Sequence, residues 1–194
     1  YVMIRIYVTG TNGSGKGEVG KYLKEKYNFE VFNARALLEE VGTNEHVGLT
    51  ARPDLASLAN MLRDTHGGDY MIRALTEQAE DAERAVFDSV RCTAEVDYIE
   101  KLRAKGNALR VVFVSVDADP ALRHSRVMQR KSITDAVSFE DFIAQEKAES
   151  TAEQSHRLNI AKCMERAHVY LKNDADLTTF HDEIDRKIIA ALQF

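Results

Sequence analysis

Residues 9–18 read TGTNGSGKGE, directly behind the apolar run MIRIYV at 3–8. The spacing from Gly10 to Gly15 and Lys16 fits the phosphate-binding loop G-x-x-x-x-G-K-[ST], except that Gly17 stands where a magnesium-binding hydroxyl belongs. A bare glycine-rich turn holding a lysine is the plain alternative. The context favours a phosphate loop, because residues 3–9 read as a buried strand and 15–27 as a helix. Gly10, Gly13 and Gly15 permit backbone turns that aim successive N–H groups inward as an anion nest. The helix then offers its positive dipole end to the phosphates, and Lys16 reaches the β- and γ-phosphate oxygens as a mobile point charge. The nucleotide-contacting stretch is therefore Gly10, Asn12, Gly13, Ser14, Gly15, Lys16, Gly17 and Glu18. Without the hydroxyl, magnesium is left to water and nucleotide oxygens, a shell it tolerates. Glu18 is the odd member, since an acid beside a polyphosphate is unfavourable unless it points away or meets the metal.

The remaining 184 positions supply the frame, and the whole chain of 194 residues is long enough for one domain, 1–194, with a sizeable core. It is 44% hydrophobic with a formal net charge of −5, which argues against a nucleic-acid or membrane-surface protein. Its two cysteines, Cys92 and Cys163, form no C-x-x-C or Cys/His cluster, so neither structural zinc nor a disulfide scaffold is expected. A reducing, cytoplasmic setting is expected, as is a monomer or homodimer.

Strand and helix patterns alternate to the end of the chain. Strands are expected at 3–9, 29–33, 84–90 and 109–117, with a short last one in HVYLKN (168–173). Between them the pattern predicts helices at ARALLEEV (34–41), at 53–65 with Pro53 in the first turn, and in DYMIRALTEQAEDA with Asp69 as N-cap. Helical pattern resumes at AEVDYIEKLRAKG, ending at Gly106, then near 119–130, 139–150 and 155–167, and finally from Leu177. Such alternation means a three-layer α/β/α fold around a five-stranded parallel sheet. Glu77–Glu83 reads as a solvated helix face.

The loop G-x-x-G-x-G-K-G resembles that of adenylate kinase and other nucleoside monophosphate kinases. Over most of its length the chain looks like the short adenylate-kinase-like and dephospho-CoA-kinase-like proteins with a G-K-G-E loop. That resemblance implies ATP and Mg²⁺ as cofactors and a small-molecule nucleotide as acceptor. AVFDSVRCTAEV (85–96) is similar to the family's strand ending in Asp, followed by a loop arginine. By resemblance Asp88 would hold a magnesium-bound water and Arg91 would clamp the acceptor's phosphate; the bland reading is a capping Asp and a surface Arg. Arg123, Arg126 and Arg130 fall at i, i+3 and i+7 and so share a helix face. The resemblance puts such arginines before a lid, here a short one at about 131–138 with no zinc-binding cysteines, to neutralise the transferring phosphoryl group. A solvated basic face is the alternative.

On the acceptor side, a helical segment at about 33–82 carries Arg35 and Arg63 as candidate phosphate contacts, while His66 reads as a loop histidine. Asn173 and Asp174 match the strand-to-helix turn that packs beside adenine in these kinases, or else form a plain turn and cap. The catalytic set expected is Lys16, Arg126, Arg130 and Asp88. Two other readings stay open: a kinase for another metabolite such as dephospho-CoA, and a regulatory module that binds ATP or a deoxynucleotide without turning it over.

Overall fold

The apolar runs become strands because an apolar layer awaits their side chains on each face. In a computed structural model of the protein, described over residues 2–44, 52–106, 108–129, 138–150, 153–154 and 156–192, five parallel strands form one sheet. They are β1 (Met3–Gly10), β2 (Glu30–Asn33), β3 (Arg84–Asp88), β4 (Leu109–Asp117) and β5 (Val169–Lys172), in the order β2-β3-β1-β4-β5. Ile4, Ile6 and Val8 of β1 enter one core, while Tyr7, one residue out of phase, enters the other. Val112, Val114 and Val116 of β4 oppose Val111 and Phe113 in the same way. That period of two, apolar on both faces, marks a sheet covered on both sides.

Helix α1 (Lys16–Tyr27) packs on the first face through Val19 and Leu23. The C-terminal helix α9 (Leu177–Ile184) joins it there, running on through a π-turn at Asp185–Ile189 to Ala190–Leu192. The other face carries α2 (Ala34–Asn44), α3 (Arg52–His66), α4 (Tyr70–Gln78), α5 (Thr93–Arg103) and α8 (Ile160–Glu165). Helices α6 (Pro120–Gln129) and α7 (Phe139–Glu149) flank the loop side of β4. No described helix is long and apolar enough to cross a membrane.

Several expected boundaries move. The third strand ends at Asp88 rather than residue 90, so the aspartate sits at the strand's very end. The fourth helix stops at Gln78, and the acidic run that follows lies mostly in the turn before β3. The helix expected over 155–167 shrinks to Ile160–Glu165, because the Asn159 side chain accepts the Lys162 N–H at 3.1 Å and starts it there. Asp69 does occupy the position before α4, but its side chain makes no cap bond and pairs with Arg73 at 3.6 Å instead. Arg130 and the lid expected at 131–138 lie, but for Ser138, outside the described residues; Ser138 caps α7 by accepting the Asp141 N–H.

Candidate functional site

The carboxyl ends of the strands gather the polar residues, as open parallel sheets do. In register, Asp88 lies between Val8 of β1 and Asn33 of β2, while Gly10 lies opposite Val116. The loop leaves β1 through Gly10 at φ 147° and enters α1 through Gly15 at φ 104°. Both values belong to glycine, and space forbids anything larger. A Cβ on Gly10 would drive into the Val116 carbonyl oxygen, and one on Gly15 into the Asn173 side-chain amide. Gly13 is as tightly held, with a Cβ there only 2.6 Å from the Arg123 carbonyl oxygen. Gly17 has nothing within 4 Å of a Cβ. Three glycines are thus demanded by geometry and one is not.

Side chains from distant segments hold this loop. Asn173, buried at the end of β5, donates its Nδ2 to the Ser14 carbonyl at 2.8 Å. Thr11 donates its hydroxyl to Asp117 at 2.7 Å. Arg123, 2% exposed, donates to the Ala118 carbonyl at 2.8 Å and the Asn12 carbonyl at 3.4 Å, and grips Glu146 of α7 with both terminal nitrogens. It therefore spends its donors on protein. Asp174 accepts the Asp119 N–H at 2.6 Å and pairs with Lys172. Lys16 folds back over its own loop, with Nζ donating to the carbonyls of Gly10 at 3.0 Å and Thr11 at 2.8 Å.

Arg126 and Asp88 each keep a buried polar atom that bonds nothing among the described residues. Arg126 donates Nη2 to the Asn173 carbonyl at 2.9 Å, while its Nη1 is buried without a hydrogen-bond partner among the described residues. Asp88 Oδ1 is likewise buried and unpartnered. A buried carboxylate oxygen with no donor is rare, and at this strand end it fits a water carried by a magnesium ion, which binds with most of its water retained. Beside it, Ser89 accepts a bond from Arg91 Nε at 3.1 Å. Gly10, Asn12, Lys16, Ser89, Arg91, Glu149 and Ile160 line one cleft.

Glu18 meets the condition under which an acid is tolerable here. Its carboxylate takes a 2.9 Å bond from His181 of α9, and that imidazole stacks on Tyr22 with centroids 3.9 Å apart. One turn on, Tyr22, Lys26 and Tyr27 all donate to Asp185 at 2.6–2.8 Å. Burial works to raise the Asp185 pKa, but these three donors outweigh it and hold the carboxyl below its ordinary value. The loop helix and the C-terminal helix are thereby joined.

The arginines expected on the acceptor side divide. Arg91 lines the cleft. Arg35 is exposed at the start of α2 and pairs with Glu39 at 2.8 Å. Arg63 is buried and faces Glu95 of α5 at 3.1 Å. Sequence reasoning missed Glu95, although it stands three residues after Cys92 at capping-box spacing. It also missed Glu149 of the cleft lining, and Glu146, Asp117 and His181, whose partners lie far off in the chain.

A sequence profile described as an AAA domain matches residues 6–154, and the chain belongs to that family. Among its relatives is a UPF0200 protein of Saccharolobus islandicus, 26% identical over 90% of this chain and 87% of its own. Another, from Sulfurisphaera tokodaii, is 26% identical over 93% of each. Among solved structures, TT1252 from Thermus thermophilus matches with a TM-score of 0.63 at 21% identity, covering 100% of this chain and 97% of its own. Shikimate kinase from Bacteroides thetaiotaomicron matches with a TM-score of 0.62 at 19% identity over both full lengths. The fold is that of P-loop kinases, and together with the AAA-domain match it bears out the resemblance at the level of the P-loop superfamily.

Proposed function

We propose that this chain is an ATP-dependent kinase that passes the γ-phosphoryl group to a small phosphorylated acceptor, a nucleoside or deoxynucleoside monophosphate. The observation that carries the reading is the cleft shared by Lys16, Ser89 and Arg91, with the unpartnered oxygen of Asp88 at the adjoining strand end. Phosphoryl transfer asks little covalent chemistry of the protein; it asks for positioning and charge. The loop amides hold the β- and γ-phosphates, and Lys16 exchanges its two carbonyl contacts for phosphate oxygens. Arg126 turns its unpartnered nitrogen to the transferring group, and Arg130 is assigned the same task. Asp88 orients a water of the magnesium shell. When bound, that ion neutralises phosphate charge. Arg91 aligns the acceptor's phosphate for in-line attack. Arg123, Asn173 and Asp174 keep the loop in shape, and Glu18 is held off the phosphates by His181.

A second reading has its own support. Of Arg35, Arg63 and Arg91, the first is paired on the surface and the second is buried against Glu95, so one arginine remains at the cleft. Sparse acceptor contacts suit a module that binds ATP or a deoxynucleotide without transfer.

ADP release with ATP and Mg²⁺ is the test, run against all ribo- and deoxyribonucleoside monophosphates, dephospho-CoA and shikimate. One monophosphate is expected to give a signal that falls at least about 10³-fold in Lys16→Ala, the scale of losing a charge clamp. ATP binding with no turnover on any acceptor would instead establish the module, and a signal with shikimate or dephospho-CoA alone would replace the acceptor class.

A further inference from the structure

Arg63 and Glu95 form an ion pair at 3.1 Å with side chains only 4% and 0% exposed. Neither is itself among the residues lining the cleft, and Arg63 Nε has no hydrogen-bond partner among the described residues. Enclosing two charges this completely is costly and is often no better for stability than an apolar pair. What the pair does locally is more specific. Glu95 Oε1 takes the Arg63 guanidinium, while Oε2 accepts the backbone N–H of Arg91 at 2.7 Å and of Cys92 at 3.2 Å. The Arg91 carbonyl accepts the Asn159 N–H at 2.9 Å from the start of α8. The Arg91 main chain is thus gripped on both sides, and Arg63 of α3, within the helical segment between β2 and β3, bonds the Glu95 that holds it.

We infer that Arg63 and Glu95 are positioning residues: the carboxylate holds the Arg91 main chain so that its guanidinium meets the acceptor, and Arg63 ties that hold to the acceptor-side helices. Arg63, then, does not bind phosphate itself. A charged acceptor is needed, because Glu95 must hold two N–H donors and a third group at once. Carboxylate oxygens accept several strong bonds, which a neutral amide cannot do. The guanidinium and carboxyl are paired inside the protein: burial opposes the Arg63 charge, but Glu95 outweighs it and leaves the Arg63 pKa above its ordinary value. Motion of α3 on acceptor binding would reach Arg91 through two bonded contacts.

The inference rests on the kinase reading, so its test needs one measurement that does not. Glu95→Gln, Arg63→Met and Arg63→Lys would be compared with the wild type in the full chain. With the acceptor found in the panel above, Glu95→Gln and Arg63→Met should raise the acceptor KM about tenfold and leave the ATP KM within twofold. Arg63→Lys, which keeps the charge, should recover part of the loss. Amide hydrogen exchange at Arg91 and Cys92, read without any turnover, should quicken at least tenfold in the same two variants. Should Glu95→Gln fail to fold, the double variant Arg63→Met/Glu95→Gln removes the stranded charge and carries the same expectations. An acceptor KM and amide protection both equal to wild type would overturn the inference, as would equal losses in the KM for ATP and for acceptor. If no acceptor turns over in the wild type, the kinase reading falls alone. Exchange then decides whether Glu95 holds the Arg91 loop, with quickened exchange supporting the hold and unchanged exchange overturning it.

Discussion

The two sides of the cleft are built by different means. Around the donor loop the backbone does the shaping: glycines at positive φ pass so close to β4 and to Asn173 that no side chain fits. Around the acceptor loop a side chain does it, with Glu95 taking two main-chain N–H groups while paired to a buried Arg63. Distant side chains clamp both loops, but the glycine loop is also shaped by its own backbone, whereas the hold on Arg91 runs through an ion pair with a partner in another helix. On the proposed reading, the difference teaches where the site would give way: the glycine loop is fixed by its own backbone, and the Arg91 loop depends on a single buried ion pair.

Substitutions on each side sharpen or break that contrast. Arg63→Met should have the largest effect on stability, about 3–5 kcal/mol by chemical denaturation, because it strands a buried carboxylate. A loss below about 1 kcal/mol would mean that water reaches Glu95 and that the acceptor side is not held as described. Gly10→Ala should follow at about 3 kcal/mol, with ATP binding lost, since the new methyl meets the Val116 carbonyl and the φ of 147° is strained for any L side chain. Wild-type affinity in Gly10→Ala would refute backbone shaping on the donor side.

The joint between α1 and α9 gives a smaller, pH-dependent effect. Asp185 has a lowered pKa when folded, so the stability it contributes is present above its unfolded value, near ~3.9, and disappears as pH falls through the lowered folded value. Asp185→Asn should cost about 1–2 kcal/mol at pH 6. In thermal melts the gap from wild type should narrow below about pH 4; a constant gap would place its origin in packing. Gly17→Ala should be the mildest change. Space is free there and the position lies in the first turn of α1, so a gain of up to about 1 kcal/mol in helix propensity is expected. A clear loss would reveal a backbone demand that Gly17 does not show.

The same contrast explains what the sequence made readable. The alternating apolar runs and the 10–17 spacing are local signals, so the parallel five-stranded sheet, the loop and its helix could all be read from neighbours within a few residues. Strand order could not, because it depends on which crossover packs where. Arg63 looked like a phosphate ligand because its partner lies 32 residues away and a lone arginine in a polar segment gives no hint of burial. Arg123 and Arg126 share a helix face by spacing, yet one is saturated by Asn12, Ala118 and Glu146 while the other keeps a free buried nitrogen. Glu18 seemed a liability until His181, 163 positions further on, came to meet it. Local chemistry was legible; the partners that fold over it were not.

The bond from Asn173 to Ser14 spans 159 residues. During synthesis the loop leaves the ribosome 159 residues ahead of the amide that clamps it, and further ahead of the His181 that bonds Glu18. Contacts of such long range form late in folding. The loop is therefore completed only once the β5 turn and α9 have docked, and on the proposed reading a nascent chain would hold ATP tightly only from that point. On that reading, nucleotide affinity would double as a report that these distant segments have docked.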